Sequence, residues 1–573
     1  MGIVGELRIS DVPAGAGGGR RVRVSWREEA ALPREAEVVF AAPSENQDGE
    51  RIRWYLEDYA EFPADPAPAI ARDAEAQLAQ TGAELFRQLF EANRDTMRVW
   101  DAAAAELPDA RVEVDTDPGE GSGLPWELLR DPGTDAPVAL GAGAFVRTHL
   151  QAAGHARLPK PAGDRLRVLL VIARPGGRAD VPFRSVASRL VLGGAEQMQG
   201  LDLDVLRPAT FARLSQVLRA AHDAGRPYHV VHFDGHGTYL DLANLKDEKN
   251  SDGESGSAGT GGGRGGIEFS PLRYGLSVVG PVRDGQHGYL LFEDPDSEKN
   301  QQLVDGPTLG RLLSGTGVPV LVLNACRSAY AEAPGRPGGE PRDAPASPSG
   351  RQAGRAAGDT EALLTGDVHA RIRAYGSLAA EIADIGVPGV VAMRYNVYVV
   401  TAAQFMADLY AHLLAGRPLG QAATAARKAL AANPVRQIGA FPVSLQDWAV
   451  PVVYEAASLV LLRPEQREAQ LIKLTPTQTR DDGGGVAGPG GVPRPPDGGF
   501  FGRDETLLAL DRAFDTQPVV LLHAFAGAGK SATAAEFARW YQVTGGLDHP
   551  ENPDWPGAVL WSSFEHHLTA DRA

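Results

Sequence analysis

"VVHFDGHGTY", residues 230–239, runs apolar through Val230, Val231 and Phe233 and then breaks into Asp-Gly-His-Gly. A second run, "VPVLVLNACRSAY" (318–330), ends in a similar way on Cys326, the sole cysteine of the chain. Three more short apolar runs share the character of these two, the first of which opens as "YHVVHF" (228–233): "LRVLLVIARP" (166–175), "LDLDVL" (201–206) and "GVPGVVAM" (386–393). Helical patterns separate them at 182–198, 210–224, 306–315 and 371–384. Continuous apolar strands alternating with helices predict an α/β fold whose mostly parallel sheet is covered on both faces. In such sheets the active site gathers just beyond the carboxyl ends of the strands. His236 and Cys326 are both placed there, and the glycines flanking the histidine are expected to let the chain turn out of the sheet and present the ring.

Outside this region the patterns change. The first 60 residues alternate ("RRVRVSWRE", "EAEVVFAAP"), the period-2 sign of half-buried strands. Residues 71–107 read as one or two amphipathic helices carrying Leu78, Leu85, Leu89 and Phe90 on one face. A strand "RVEVDT", then "LPWELLRDP" and a strand "AFVRTHL", lead into the apolar runs. Residues 245–266, 331–360 and 475–499 have the Gly-, Pro- and Ser-rich composition of unfolded segments. The expected organisation is an N-terminal β/α extension over 1–110, a main α/β domain over 111–462, a Gly/Pro-rich linker over 463–499 and a separate module over 500–573.

Bulk properties narrow the function classes. The net charge is −17, which disfavours nucleic acid as a partner, since phosphate contacts need a basic surface. No segment offers about 18 consecutive apolar residues, so no membrane span is expected. The start "MGIVGELRIS" lacks a secretory pattern, and one cysteine supports neither an intrachain disulfide nor a multi-cysteine zinc site. A cytoplasmic, reduced protein without a structural metal is expected.

A cysteine nucleophile attacks as thiolate and wants a neighbouring base and donors for the oxyanion. His236 supplies the base, and the backbone N–H groups of Gly237 and Cys326 are the candidate oxyanion donors, on the expectation that the chain has left the ladder there. Asp234 would orient the ring if the strand alternation continued; its role stays open. A lone thiol after a buried strand also serves as a small hydrophobe, and His-Gly also makes plain turns; spacing leaves both readings standing.

Taken together, "HFDGHG" and "LVLNACRSA" resemble the CHAT family of caspase-like cysteine peptidases, relatives of caspases and separase. "LPWELLRDP" with "FVRTHL" is similar to that family's upstream Pro-Trp-Glu segment and following strand. "YGSLAAEIADIGVPGVVAMRYNVY", "LLAGRPLGQAATAARKAL" and "QDWAVPVVYE" resemble its later helices and strands. The likeness covers about residues 110–462. It implies a caspase-like fold, His236 as base, Cys326 as nucleophile, hydrolysis of a protein substrate through an acyl-enzyme, and no cofactor for that reaction. It also implies that the loop after Cys326, residues 331–368 with Arg336, Arg342, Arg351 and Arg355, controls access and is a candidate for cleavage. Arg394 could pair with an acidic substrate side chain, Asp447 or Glu293 with a basic one, and structural roles compete for all three. A non-catalytic scaffold of the same fold is the alternative.

The last module carries Ala524 to Ser531, which reads A-x-x-x-x-G-K-S after an apolar run (518–523) and before a helical pattern. Gly527 and Gly529 would open backbone N–H groups to phosphates, Lys530 would reach the β/γ-phosphates and Ser531 would ligate Mg²⁺. With "FFGRDETL" upstream, this resembles the start of STAND-type P-loop NTPases. ATP and Mg²⁺ are the ligands implied, and regulation of the peptidase with self-association, in bacterial defence or cell death, is the role implied.

Overall fold

The computed structural model describes the residues outside 1–2, 13–19, 29–30, 42–47, 62, 116–123, 149–155, 157, 164, 177–199, 243–276, 286, 298, 325–377, 396–397, 439–440, 464–491, 494–499, 501, 548–556 and 563–573. Cys326, the loop 331–368, the helical pattern at 182–198, the stretch 245–266 and most of the linker therefore lie outside the described residues.

The alternating N-terminal stretches form β1 (Gly5–Val12), β2 (Arg21–Glu28) and β3 (Arg34–Val39). In β2, Val22, Val24 and Trp26 are buried while Arg21 and Arg23 face outward, as a sheet with one covered face requires. The covering helices are α1 (Asp48–Glu57), α2 (Ala67–Phe86) and α3 (Arg94–Ala105), the last packed on β1, β2 and β3. Asn93 starts α3 by accepting from the N–H groups of Asp95 and Thr96.

Then follow β4 (Ala110–Asp115), a two-residue pair β5 (Arg130–Asp131) and β6 (Ala136–Pro137), β7 (Ala144–Thr148), β8 (Leu166–Ile172) and β9 (Leu201–Val205). Thr210 caps α4 (Phe211–Asp223), which leads to β10 (Val230–Asp234). A small sheet comes next, built from β11 (His236–Leu240), β12 (Ser277–Val279), β13 (His287–Phe292) and β14 (Gln302–Asp305). Asp305 caps α5 (Gly306–Gly315), followed by β15 (Val320–Asn324) and β16 (Gly389–Met393). The main domain closes with α6 (Val399–Leu414), α7 (Leu419–Ala432), a hairpin of β17 (Val435–Ile438) and β18 (Phe441–Ser444), and β19 (Pro451–Glu455).

Among the described residues eleven strands make one sheet, in the order β3-β2-β1-β4-β7-β19-β16-β15-β10-β8-β9. Neighbours β16, β15, β10, β8 and β9 are parallel, and so are β1, β4, β7 and β19. The two parallel blocks run in opposite directions and meet at the antiparallel pair β16–β19. Alternate residues of one strand feed different cores: Val168 and Leu170 face the α6/α7 side, Leu169 and Val171 the α4/α5 side. Both faces are covered here, so the central strands β8, β10, β15 and β16 are apolar at most positions, and each large side chain so buried contributes roughly 1.5–3 kcal/mol.

The C-terminal module departs from expectation. The apolar run 518–523 forms no ladder, nor do residues 557–562 of "GAVLWSSF". Val519, Leu521 and Leu560 are 82 %, 84 % and 89 % exposed, so among the described residues no neighbour supplies the pairing that turns an apolar run into a strand. What does form is a pair of helices, α8 (Asp504–Thr516) and α9 (Lys530–Val543).

Candidate active site

The candidate site is approached through the register of two neighbouring strands. In the parallel pair β10–β15, Asp234 lies opposite Asn324, and the Gly235 N–H donates to the Asn324 carbonyl at 3.3 Å. His236 stands two residues beyond Asp234 and Cys326 two residues beyond Asn324 in the chain. His236 is half-buried and opens β11, opposite Leu291 of β13.

Two expectations about this turn need correcting. Gly235 is not among the glycines with left-handed backbone; it is required by space, because a Cβ there would sit 2.8 Å from the Phe233 ring and 3.2 Å from Ala173 Cβ. Nor does the chain leave the ladder at Gly237. It leaves the main sheet and at once enters the small one, where Gly237 is in register with Leu290.

Asp234 directs its carboxylate to Arg174. Its Oδ1 lies 3.0 Å from Arg174 Nη2, and Arg174 Nη1 donates to the Asp234 carbonyl at 2.7 Å, with both side chains fully buried. Glu293 accepts from the Arg174 N–H at 3.0 Å and from Arg512 Nη2 at 2.9 Å. Asp447 accepts from Arg436 through Nη2 at 2.7 Å and Nε at 2.8 Å, and from Thr401 Oγ1 at 2.5 Å. Burial raises its carboxyl above the ordinary range despite Arg436. Both carboxylates are thus engaged inside the protein, as a structural role requires. Arg394 follows β16, is half-buried, and donates its N–H to the Val450 carbonyl at 2.9 Å.

A second set of buried charges lies at β7 and α7. Glu127 of the Pro-Trp-Glu segment accepts from Arg147 of β7 at 2.7 and 3.0 Å, and Arg394 adds to the positive field on it. Burial opposes ionisation of Glu127, yet Arg147 holds its carboxyl below the usual range. Arg427 of α7 donates to the carbonyls of Phe145 and Pro451, and burial lowers it to about 10. His232 packs on Tyr410 in the core, with Nδ1 3.2 Å from the hydroxyl, and burial lowers it to about 3. It is a core residue, as is His229 in part, whose Nδ1 accepts from the Arg167 N–H.

At the C-terminal loop, Gly527 (φ 75°) and Gly529 (φ 79°) adopt left-handed backbone that favours glycine. Lys530 Nζ donates to the carbonyls of Ala524 and Phe525, 2.9 Å each, and Ser531 is exposed in the first turn of α9. The helices above this loop dock on the main domain through Arg207, whose Nε meets Asp511 at 2.9 Å and whose Nη2 donates to Thr544 Oγ1 at 2.7 Å. Arg174, Arg207 and Arg512 escape sequence reasoning. An arginine after a strand carries no signal of its burial, and nothing local joins residues some 300 positions apart.

A family described as CHAT domain matches residues 80–456, from the second half of α2 to the end of β19. No match was found among the curated proteins.

Proposed function

The chain belongs to the CHAT domain family, related to caspase-like peptidases, and we propose that it is a cysteine endopeptidase with His236 as base and Cys326 as nucleophile. The register Asp234–Asn324 supports this reading, because the strand ends that precede His236 and Cys326 in the chain are neighbours, about 5 Å apart in the hydrogen-bonding direction. In this reading the His236 imidazole takes the Cys326 Sγ proton, and the thiolate adds to the scissile carbonyl carbon of a protein substrate. A backbone N–H, with that of Cys326 nominated, stabilises the oxyanion. Its collapse breaks the C–N bond as the imidazolium protonates the departing amine. The thioester is then cleaved by a water that gives its proton to His236. Arg394 is the candidate contact for an acidic substrate side chain, since a guanidinium matches a carboxylate in two-point geometry.

The C-terminal loop fits a phosphate-binding role through its two left-handed glycines and its lysine-serine pair. Gly527, Gly529, Lys530 and Ser531 would hold ATP and Mg²⁺, which would supply a ligand-dependent signal to the peptidase, in bacterial defence or cell death.

Labelling with a peptide-based thiol electrophile tests the dyad. Cys326 is labelled in the wild type, not at all in Cys326→Ala, and roughly 100-fold more slowly or worse in His236→Ala. Equal labelling in wild type and His236→Ala marks an ordinary thiol and ends the peptidase reading in favour of a scaffold.

A further inference from the structure

Four charged side chains from four elements meet beneath the His236 turn. Arg174 follows β8, Asp234 ends β10, Glu293 follows β13 and Arg512 belongs to α8. Arg174, Asp234 and Glu293 are 0 %, 1 % and 5 % exposed, so their charges must be balanced locally. The Asp234 carbonyl is gripped twice, by Arg174 Nη1 at 2.7 Å and by the Ala173 N–H at 3.0 Å, and its carboxylate meets Arg174 Nη2. Glu293, two residues along from Leu291, the partner of His236, accepts from the Arg174 amide at 3.0 Å. Arg512 Nη2 then bridges the set, donating to Glu293 Oε1 at 2.9 Å and to the Arg174 carbonyl at 2.6 Å. With it the cluster has two positive and two negative members; without it, one carboxylate is in excess.

We infer that Arg174, Glu293 and Arg512 are positioning residues for His236, and that docking of α8 by Arg512 sets how firmly the imidazole turn is held. The consequence for catalysis rests on the peptidase reading above; the coupling itself does not. A buried Glu293 deprived of Arg512 keeps only the Arg174 amide, and a carboxylate so placed swings toward water and releases that amide. Arg174, which grips the Asp234 carbonyl ahead of the turn, then loses its tie to the segment after β13. The helix that brings Arg512 is itself clamped by Arg207, whose guanidinium lies 4.7 Å from the Tyr541 ring and also donates to the Thr544 carbonyl of the segment after α9. Since α9 begins at Lys530, the glycine loop and the His236 turn are joined by one continuous set of packed groups.

Hydrogen exchange on the full chain tests this. In Arg512→Ala, amides 235–240 exchange about tenfold faster or more than in the wild type, while Arg512→Lys restores part of the protection. Adding Glu293→Gln to Arg512→Ala removes the unbalanced carboxylate and returns exchange toward wild type. In peptide hydrolysis kcat falls with the exchange change and KM moves less than about twofold. Unchanged exchange at 235–240 in Arg512→Ala overturns the proposal, whether or not α9 stays protected. Altered exchange with no hydrolysis by any form, wild type included, leaves the coupling standing and defeats the peptidase reading instead.

Discussion

A methyl group at Gly235 would lie 2.8 and 2.9 Å from two carbons of the Phe233 ring, and Phe233 is packed against Phe292. The ring has nowhere to go. Gly235→Ala is expected to lower stability by about 1–3 kcal/mol in urea unfolding, the usual range for overpacking. His232 makes a second prediction at this scale. It stays neutral in the fold because burial lowers it to about 3, whereas in the unfolded chain it takes up a proton near pH 6.5. A base with a depressed folded value costs stability as pH falls below the unfolded one. Stability should therefore drop by up to ~1.4 kcal/mol per pH unit between about 6.5 and 3, and His232→Gln should flatten that slope. Of these residues, the sequence marks His236 by its glycines and leaves His232, inside the apolar run, as a histidine that packs or faces solvent; the Tyr410 contact shows that it packs.

Among the elements, the buried ion pair between the segment Leu124–Leu129 and β7 has the clearest consequences. Glu127 and Arg147 are 1 % and 2 % exposed, and neighbouring Trp126 stacks on Phe40 at 5.5 Å. Glu127→Gln is expected to cost about 3–5 kcal/mol by leaving Arg147 uncompensated, and Glu127→Leu with Arg147→Met to cost less than the single change. The folded carboxyl of Glu127 lies below its unfolded value, so its contribution is complete above about pH 4.3 and is lost as pH falls through the folded value. Urea midpoints of wild type and the double variant should converge below pH 4. Strands buried on both faces were legible because their apolar runs are continuous: 166–172, 230–234, 320–324 and 389–393 all form as read. The equally apolar run at 518–523 misleads for one reason. A strand is a property of a pair, and its partner is not visible in its own composition.

For the whole molecule, the two arginine crossings make the C-terminal helices part of the same body as the main domain. Arg207→Ala removes the contacts to Asp511 and Thr544 together. It should speed exchange throughout α8 and α9 while leaving α6 and α7 untouched. Uniform protection in that variant would mean that apolar packing alone holds the helices. The small sheet β11–β14 is the part of the architecture that the pattern of apolar runs did not announce, since its strands are short and lie on either side of a long Gly- and Ser-rich stretch. The N-terminal strands, by contrast, show their half-covered character in every second residue.

The strand that sews the two opposed blocks together, β19, is the last of the sheet to be synthesised, yet it lies in the middle, between β7 and β16. A growing polypeptide therefore carries two unfinished half-sheets, each with a bare and largely apolar border, until Pro451–Glu455 clears the ribosome. More than a hundred downstream residues give that closing step time to occur while the chain is still tethered and cannot meet its siblings freely. Release of a chain shortened to end before Pro451 should yield aggregates rather than a smaller soluble protein, which sedimentation of the translation product would reveal.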